Sequence, residues 1–271
     1  VTPGGKLLVT LYDGYDGASS QASSHFVSGL ALSILGDVIG PVRLAGAPVG
    51  YVSGYMGHVP QEWQTALGGP SFTGQCCLSI IARTSSGPCL YAFDGDDLSK
   101  PVIPLVAYPI EHPLAPYQGS SPWFHGATRI QGAAFLPGTR TVAFFGRHSL
   151  GPCRYGTATY DRAKDGTPNL GFPGKQGDGS PYPWIYIDAG EGSDGQLGIW
   201  ADPMVNYVWL YDVLDFIEVV AGRKHSWEIF PYEVGSLPGL PSTLRGACTD
   251  DQGHLYVSVP NLAMHVYTVK L

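Results

Sequence analysis

The chain states one phrase twice, Arg83-Thr-Ser-Ser-Gly-Pro-Cys89 and Arg147-His-Ser-Leu-Gly-Pro-Cys153, and each copy opens on an arginine. A guanidinium presents a planar fork of donors that matches the oxygens of a carboxylate or phosphate. His148, in the second copy, adds a group that titrates near neutrality. When the chain is divided into repeating units, Tyr12, Asp13, Asp16, Thr84 and Asn261 fall at places that correspond to the phrase. Arg83, Arg147, His148, Asp13, Asp16 and Tyr12 are therefore the candidate ligand-binding set, suited to a carboxylate, a phosphate or a sugar. Each arginine also has a plainer use, bonding the carbonyls of its own loop, and the sequence leaves both uses open.

Other chemistry is less well marked. The five cysteines, Cys76, Cys77, Cys89, Cys153 and Cys248, leave one odd and show no zinc-type spacing. Cys76 and Cys77 either bridge each other or stay separate, and a Cys89–Cys153 bond requires Cα atoms within about 7 Å. Arg147-His-Ser-Leu-Gly151 lacks the glycine that a nucleophile elbow places two residues before its serine, so serine hydrolysis is not expected. Asp94, Asp96 and Asp97, or Asp188, Glu191 and Asp194, offer hard oxygens without the EF-hand spacing, and Asp-Gly turns account for both groups. The histidines form no His-Glu-x-x-His; His58, His112, His125 and His148 are the four that a radial fold can gather. No metal and no cofactor is expected. Trp209 and Trp227 sit in strand-like runs and read as core, whereas Trp123 and Trp184 lie in Pro-rich connections and suit sugar stacking.

The elements that must position these residues come from the repeat itself. Apolar runs at 78–82 and 142–145 precede the two copies of the phrase. The first copy is followed by runs at 90–94 and 101–109, and the second by runs at 208–212 and 227–234. A third unit, with runs at 244–248, 254–258 and 264–271, opens on Leu244-Arg-Gly-Ala247, an echo of Ile130-Gln-Gly-Ala133. A weaker unit at the start has runs at 6–11, 25–30 and 38–44. Runs of this length, rich in Val, Ile, Tyr and Phe and bounded by Gly, Pro and Asp, are strand signals. Their radial repetition makes blades. The expected fold is all-β: one β-propeller domain over 1–271, built from three- to four-stranded blades, with a loop-rich insertion at about 156–204 that holds an extra strand at 183–188. The ring is either incomplete or closed by pairing of the terminal strands 6–11 and 264–271. Helices are expected only at 215–222, capped by Asp215 and ended by Gly222, and at 61–67.

Composition narrows the partners. Charged residues are 14% of the chain and the formal charge is −7 with no basic run, which argues against nucleic acid and anionic membrane. No apolar run approaches the ~18 residues of a membrane span. The 37 glycines and 23 prolines, beside 44% hydrophobic residues, fit a turn-rich β protein rather than disorder. Low lysine with high Gly and Tyr points to a secreted or periplasmic protein. Val1 follows no charged-then-apolar leader and reads as a mature or truncated start.

The strings Gly74-Gln-Cys-Cys-Leu78, Pro137-Gly-Thr-Arg-Thr-Val-Ala-Phe-Phe-Gly-Arg-His148, Trp209-Leu-Tyr-Asp212 and Trp227-Glu-Ile-Phe-Pro-Tyr232 resemble a group of bacterial β-propeller-like proteins. The resemblance covers roughly 70–155 and 205–260, implies the fold, and carries no activity with it. Relatives have a Cys-rich insert where this chain has 181–188, so the resemblance supplies no disulfide partner for Cys153. The expected function is a secreted binding or scaffold propeller with an Arg/His/Asp mouth on one face. Its partners are a small molecule or glycan, or further copies or blades. The alternative is a carbohydrate-active hydrolase or lyase that uses an Asp or His of the same mouth.

Overall fold

Short apolar runs cut by turn residues are too brief for helices and satisfy their backbone by pairing as strands. The computed structural model describes residues 3–5, 7–11, 24–28, 38–43, 45–46, 54–74, 85–109, 112–116, 119–159, 185–187, 198–201 and 203–269. They are mostly β, in antiparallel sheets of three or four strands. The first sheet is β1 (Leu7–Leu11), β2 (Ser24–Ser28) and β3 (Val38–Arg43). The second is β4 (Tyr55–His58), β5 (Ser71–Gly74), β6 (Leu90–Phe93) and β7 (Ile103–Val106). The third begins with β8 (Arg129–Phe135) and β9 (Thr141–Ser149). A small separate sheet follows, in which β10 (Arg154–Thr159) pairs with both β11 (Ile185–Ile187) and β12 (Gly198–Trp200). The third sheet then resumes with β13 (Met204–Asp212), paired along its whole length with β9, and ends with β14 (Glu233–Gly235). The fourth is β15 (Gly246–Thr249), β16 (His254–Ser258) and β17 (Met264–Thr268). Each of the four is a meander in chain order.

The sheets stack face to face, as the alternation along β9 shows. Val142 and Phe144 pack with Tyr55, Phe72 and Leu90 of the second sheet. Ala143 and Phe145 pack with Leu244, Leu255 and Val257 of the fourth. The opposite side of the second sheet, Tyr91 and Phe93, meets Leu8 of the first. A sheet covered on both faces needs apolar residues at consecutive positions, which is why Val142-Ala-Phe-Phe145 is unbroken. The first strands of successive sheets are neighbours, β8 lying beside both β4 and β15. Gly132 of β8 touches β15 so closely that an added Cβ would stand 2.7 Å from the Ala247 nitrogen and 3.0 Å from the Gly246 Cα.

Helix α1 (Gln61–Leu67) forms over the expected residues and ends at Gly68, whose φ of 86° favours glycine. Helix α2 (Val213–Val220) starts earlier than expected. Asp212, not Asp215, is its cap, accepting the Leu214 N–H at 2.9 Å, so β13 passes into the helix without a loop. The expected outer strand at 227–234 shrinks to β14. Trp227 lies in a turn where Glu228 accepts the His225 N–H, and it is 44% exposed rather than core. Trp209 is fully buried.

No closed ring forms among the described residues. β1 pairs with β2 and β17 with β16, and the expected pairing of 6–11 with 264–271 is not made. The fourth sheet therefore turns one face to solvent, with Met264 and Val266 more than half exposed. Cys89 and Cys153 are both buried. Among the described residues no helix is long and apolar enough to cross a membrane.

Candidate functional site

The repeated phrase repeats a physical device. In the first copy the Ser85 hydroxyl accepts the N–H of Gly87 at 3.3 Å and of Tyr108 at 2.9 Å, and donates to the Pro88 carbonyl. In the second, the Ser149 hydroxyl accepts the Gly151 N–H at 3.2 Å. Each serine closes a tight turn onto the glycine two residues on. Both cysteines then bury at the far side of the turn. The shared Ser, Gly and Cys thus build the loop, and the arginine is left over from that task.

His148 turns away from the strand end into the core, where it is 1% exposed. Its Nε2–H donates to the Ser121 carbonyl at 3.0 Å, and its Nδ1 accepts from the Thr128 hydroxyl at 2.8 Å. His125 lies against it with ring centroids 4.5 Å apart. There Nε2–H donates to the Ser149 carbonyl and Nδ1 accepts the Ala127 N–H. Carbonyls only accept, so both tautomers are fixed and both rings are neutral. Burial, and then the neighbouring His125, lower the His148 pKa to about 3, against the smaller opposing effect of the Ser121 carbonyl. This pair closes a junction between loop and strand; it does not face a ligand.

Arg147 points the other way. In register it stands between Arg129 of β8 and Asn206 of β13, on the face directed at the fourth sheet. Strands β8 and β15 run side by side in the same direction, since Gly132 touches Gly246 and residues 133–135 share a cavity wall with 247–249. Arg245, immediately before β15, therefore arrives at the same end as Arg129 and Arg147. The Arg147 guanidinium is half-buried, and its Nε is enclosed without a hydrogen-bond partner. Burial and then the Arg245 charge push its pKa below the ordinary arginine value. Arg245 is exposed on the solvent side. Asn206 pins segment 237–240 over this end, donating to the carbonyls of Leu237 and Leu240 and accepting the Leu237 N–H at 2.7 Å. Asn261, with its φ of 70°, lies in the loop after β16 at the same end, because the Arg245 N–H bonds the Ser258 carbonyl.

Of the expected set, the structure brings Arg147 to this end and sends His148 inward; Arg83, Asp13, Asp16, Tyr12 and Thr84 lie outside the described residues. So do Cys76, Cys77, Trp184, Asp188, Glu191 and Asp194. Asp94, Asp96 and Asp97 are spent on the turn, Asp94 accepting Lys100 at 2.7 Å and Asp96 the Gly4 N–H at 2.8 Å. Among the described residues no group of three His, Cys, Asp or Glu converges on one point. At the opposite end of the first strands, β4, β8 and β15 enclose a cavity of about 280 Å³ lined largely by Gly57, Phe72, Ala133, Phe135 and Ala247. Sequence reasoning overlooked Arg245 and Arg129. The signal for Arg245 was present in the echo of Leu244-Arg-Gly-Ala247 and Ile130-Gln-Gly-Ala133, since the two aligned glycines are the ones that touch. No family model matches the chain, and neither curated proteins nor solved structures yield a match.

Proposed function

We propose that this chain is an exported ligand-binding protein whose stacked sheets are blades of a propeller-like fold, with its site at the strand end that carries the repeated phrase. Meandering sheets, face-to-face stacking and adjacent first strands support the propeller reading. The observation that carries the binding reading is Arg147, half-buried, whose enclosed Nε has no hydrogen-bond partner among the described residues. Buried charges are ordinarily paired, because the unpaired ion forfeits its hydration for nothing. The hydrolytic alternative would need Asp13 or Asp16 of the mouth, which lie outside the described residues, because His148 is turned into the core.

Calorimetric titration of the full chain against neutral oligosaccharides, small carboxylates and phosphates tests this reading. At least one ligand class is expected to bind, with affinity reduced at least tenfold in Arg147→Ala and unchanged in Trp227→Ala, which lies away from the mouth. Binding indifferent to Arg147, or turnover of a bound glycan, would contradict it.

A further inference from the structure

We propose that Arg147 and Arg245 together bind a dianionic tetrahedral oxyanion, a phosphate or sulfate group either free or carried on a larger molecule. The inference rests on the binding reading above and names the ligand chemistry of the same site. Arg147 and Arg129 stand directly opposite each other across β9 and β8. Arg245 adds a third positive charge from the facing sheet. A cluster of this kind in a chain of net charge −7 is not a product of bulk composition.

The shape of the cluster selects the anion. Arg147 is carried by the third sheet and Arg245 by the chain entering the fourth, so the two forks come from different walls of the stack. A carboxylate is planar, carries one charge and offers a single edge to a bidentate fork. A tetrahedral dianion presents oxygens toward both walls at once and balances two guanidinium charges. Half-buried Arg147 and exposed Arg245 both keep part of their surface open to an anion from solvent. Asn206 does not compete for the ligand, since its amide is committed to the backbone of 237–240.

The test is thermal unfolding of the full chain in inorganic phosphate, sulfate, acetate or glycerol 3-phosphate, with chloride making up constant ionic strength. Phosphate and sulfate are expected to raise Tm by about 3 °C or more at saturating concentration, acetate much less, by mass action on the folded state. Arg147→Gln is expected to abolish the rise, and to leave the unliganded protein at least as stable as the parent, because it removes a half-buried charge whose Nε has no hydrogen-bond partner among the described residues. Arg245→Ala, an exposed change with little effect on folding, is expected to reduce the rise and weaken binding at least tenfold. A glycerol 3-phosphate affinity tenfold above that of phosphate identifies an ester as the source, and equal affinities identify the free ion. An equal rise with chloride alone, or a rise retained in both variants, overturns the proposal together with the site. Neutral oligosaccharide binding that Arg147→Gln abolishes, without any oxyanion effect, overturns the anion while the site stands.

Discussion

His125 and His148 show how a residue that reads as chemistry becomes architecture. All four ring nitrogens have partners, and each partner's own hydrogen-bonding capacity fixes which nitrogen carries the proton. Nothing in the repeated phrase warns of this, because a strand's alternation puts Arg147 and His148 on opposite faces and the phrase alone does not say which face is core. The consequence is a pH dependence of known sign. An unfolded histidine titrates near ~6.5, whereas His148 in the fold does so at about 3. Between these values the unfolded chain holds more protons, so the stability this residue contributes is complete above pH ~6.5 and is lost as pH falls toward 3. His148→Leu is expected to cost about 1–3 kcal/mol at pH 7, from the Ser121 and Thr128 groups it leaves unbonded. It should also flatten the loss of stability between pH ~6.5 and 4. Urea midpoints across that range check both, and an unchanged slope would mean that His148 is not the titrating group.

Strands and turns were largely legible, and the reasons are local. The runs that became β6, β9, β13, β15 and β16, and the span of α1, all follow from spacing and turn residues. What escaped was set by neighbours: β13 feeds directly into α2 because Asp212 serves as cap, and the turn at 225–228 takes Trp227 out of the expected strand. The closest approach of two elements, Gly132 against Gly246 and Ala247, is also the most sensitive to substitution. Gly132→Ala is expected to destabilise by about 1–3 kcal/mol, since both neighbours are backbone and have little room to yield. Gly235→Ala in β14, where an added Cβ meets nothing within 4 Å, is expected to stay within about 0.5 kcal/mol. Guanidinium denaturation of the two variants compares them, and equal stabilities would contradict the side-by-side packing of β8 and β15.

Taken together, the sheets stack so that β8 lies beside both β4 and β15, and residues distant in sequence meet at one end. Arg129, Arg147 and Arg245 are brought together this way, across more than a hundred positions of chain. Only Arg147 was visible beforehand, because a repeated phrase marks equivalent loops but not the strand entries that face them. Ring closure was not legible either, as no local signal specifies which edge strand a terminus meets. The most direct measurement is a crystal structure of the chain grown in sulfate. A tetrahedral ion held by the Arg147 and Arg245 guanidiniums is expected, with the His148 ring still bonded to Ser121 and Thr128. An Arg147 side chain paired instead with a carboxylate of the protein itself, and no ion beside it, would contradict it.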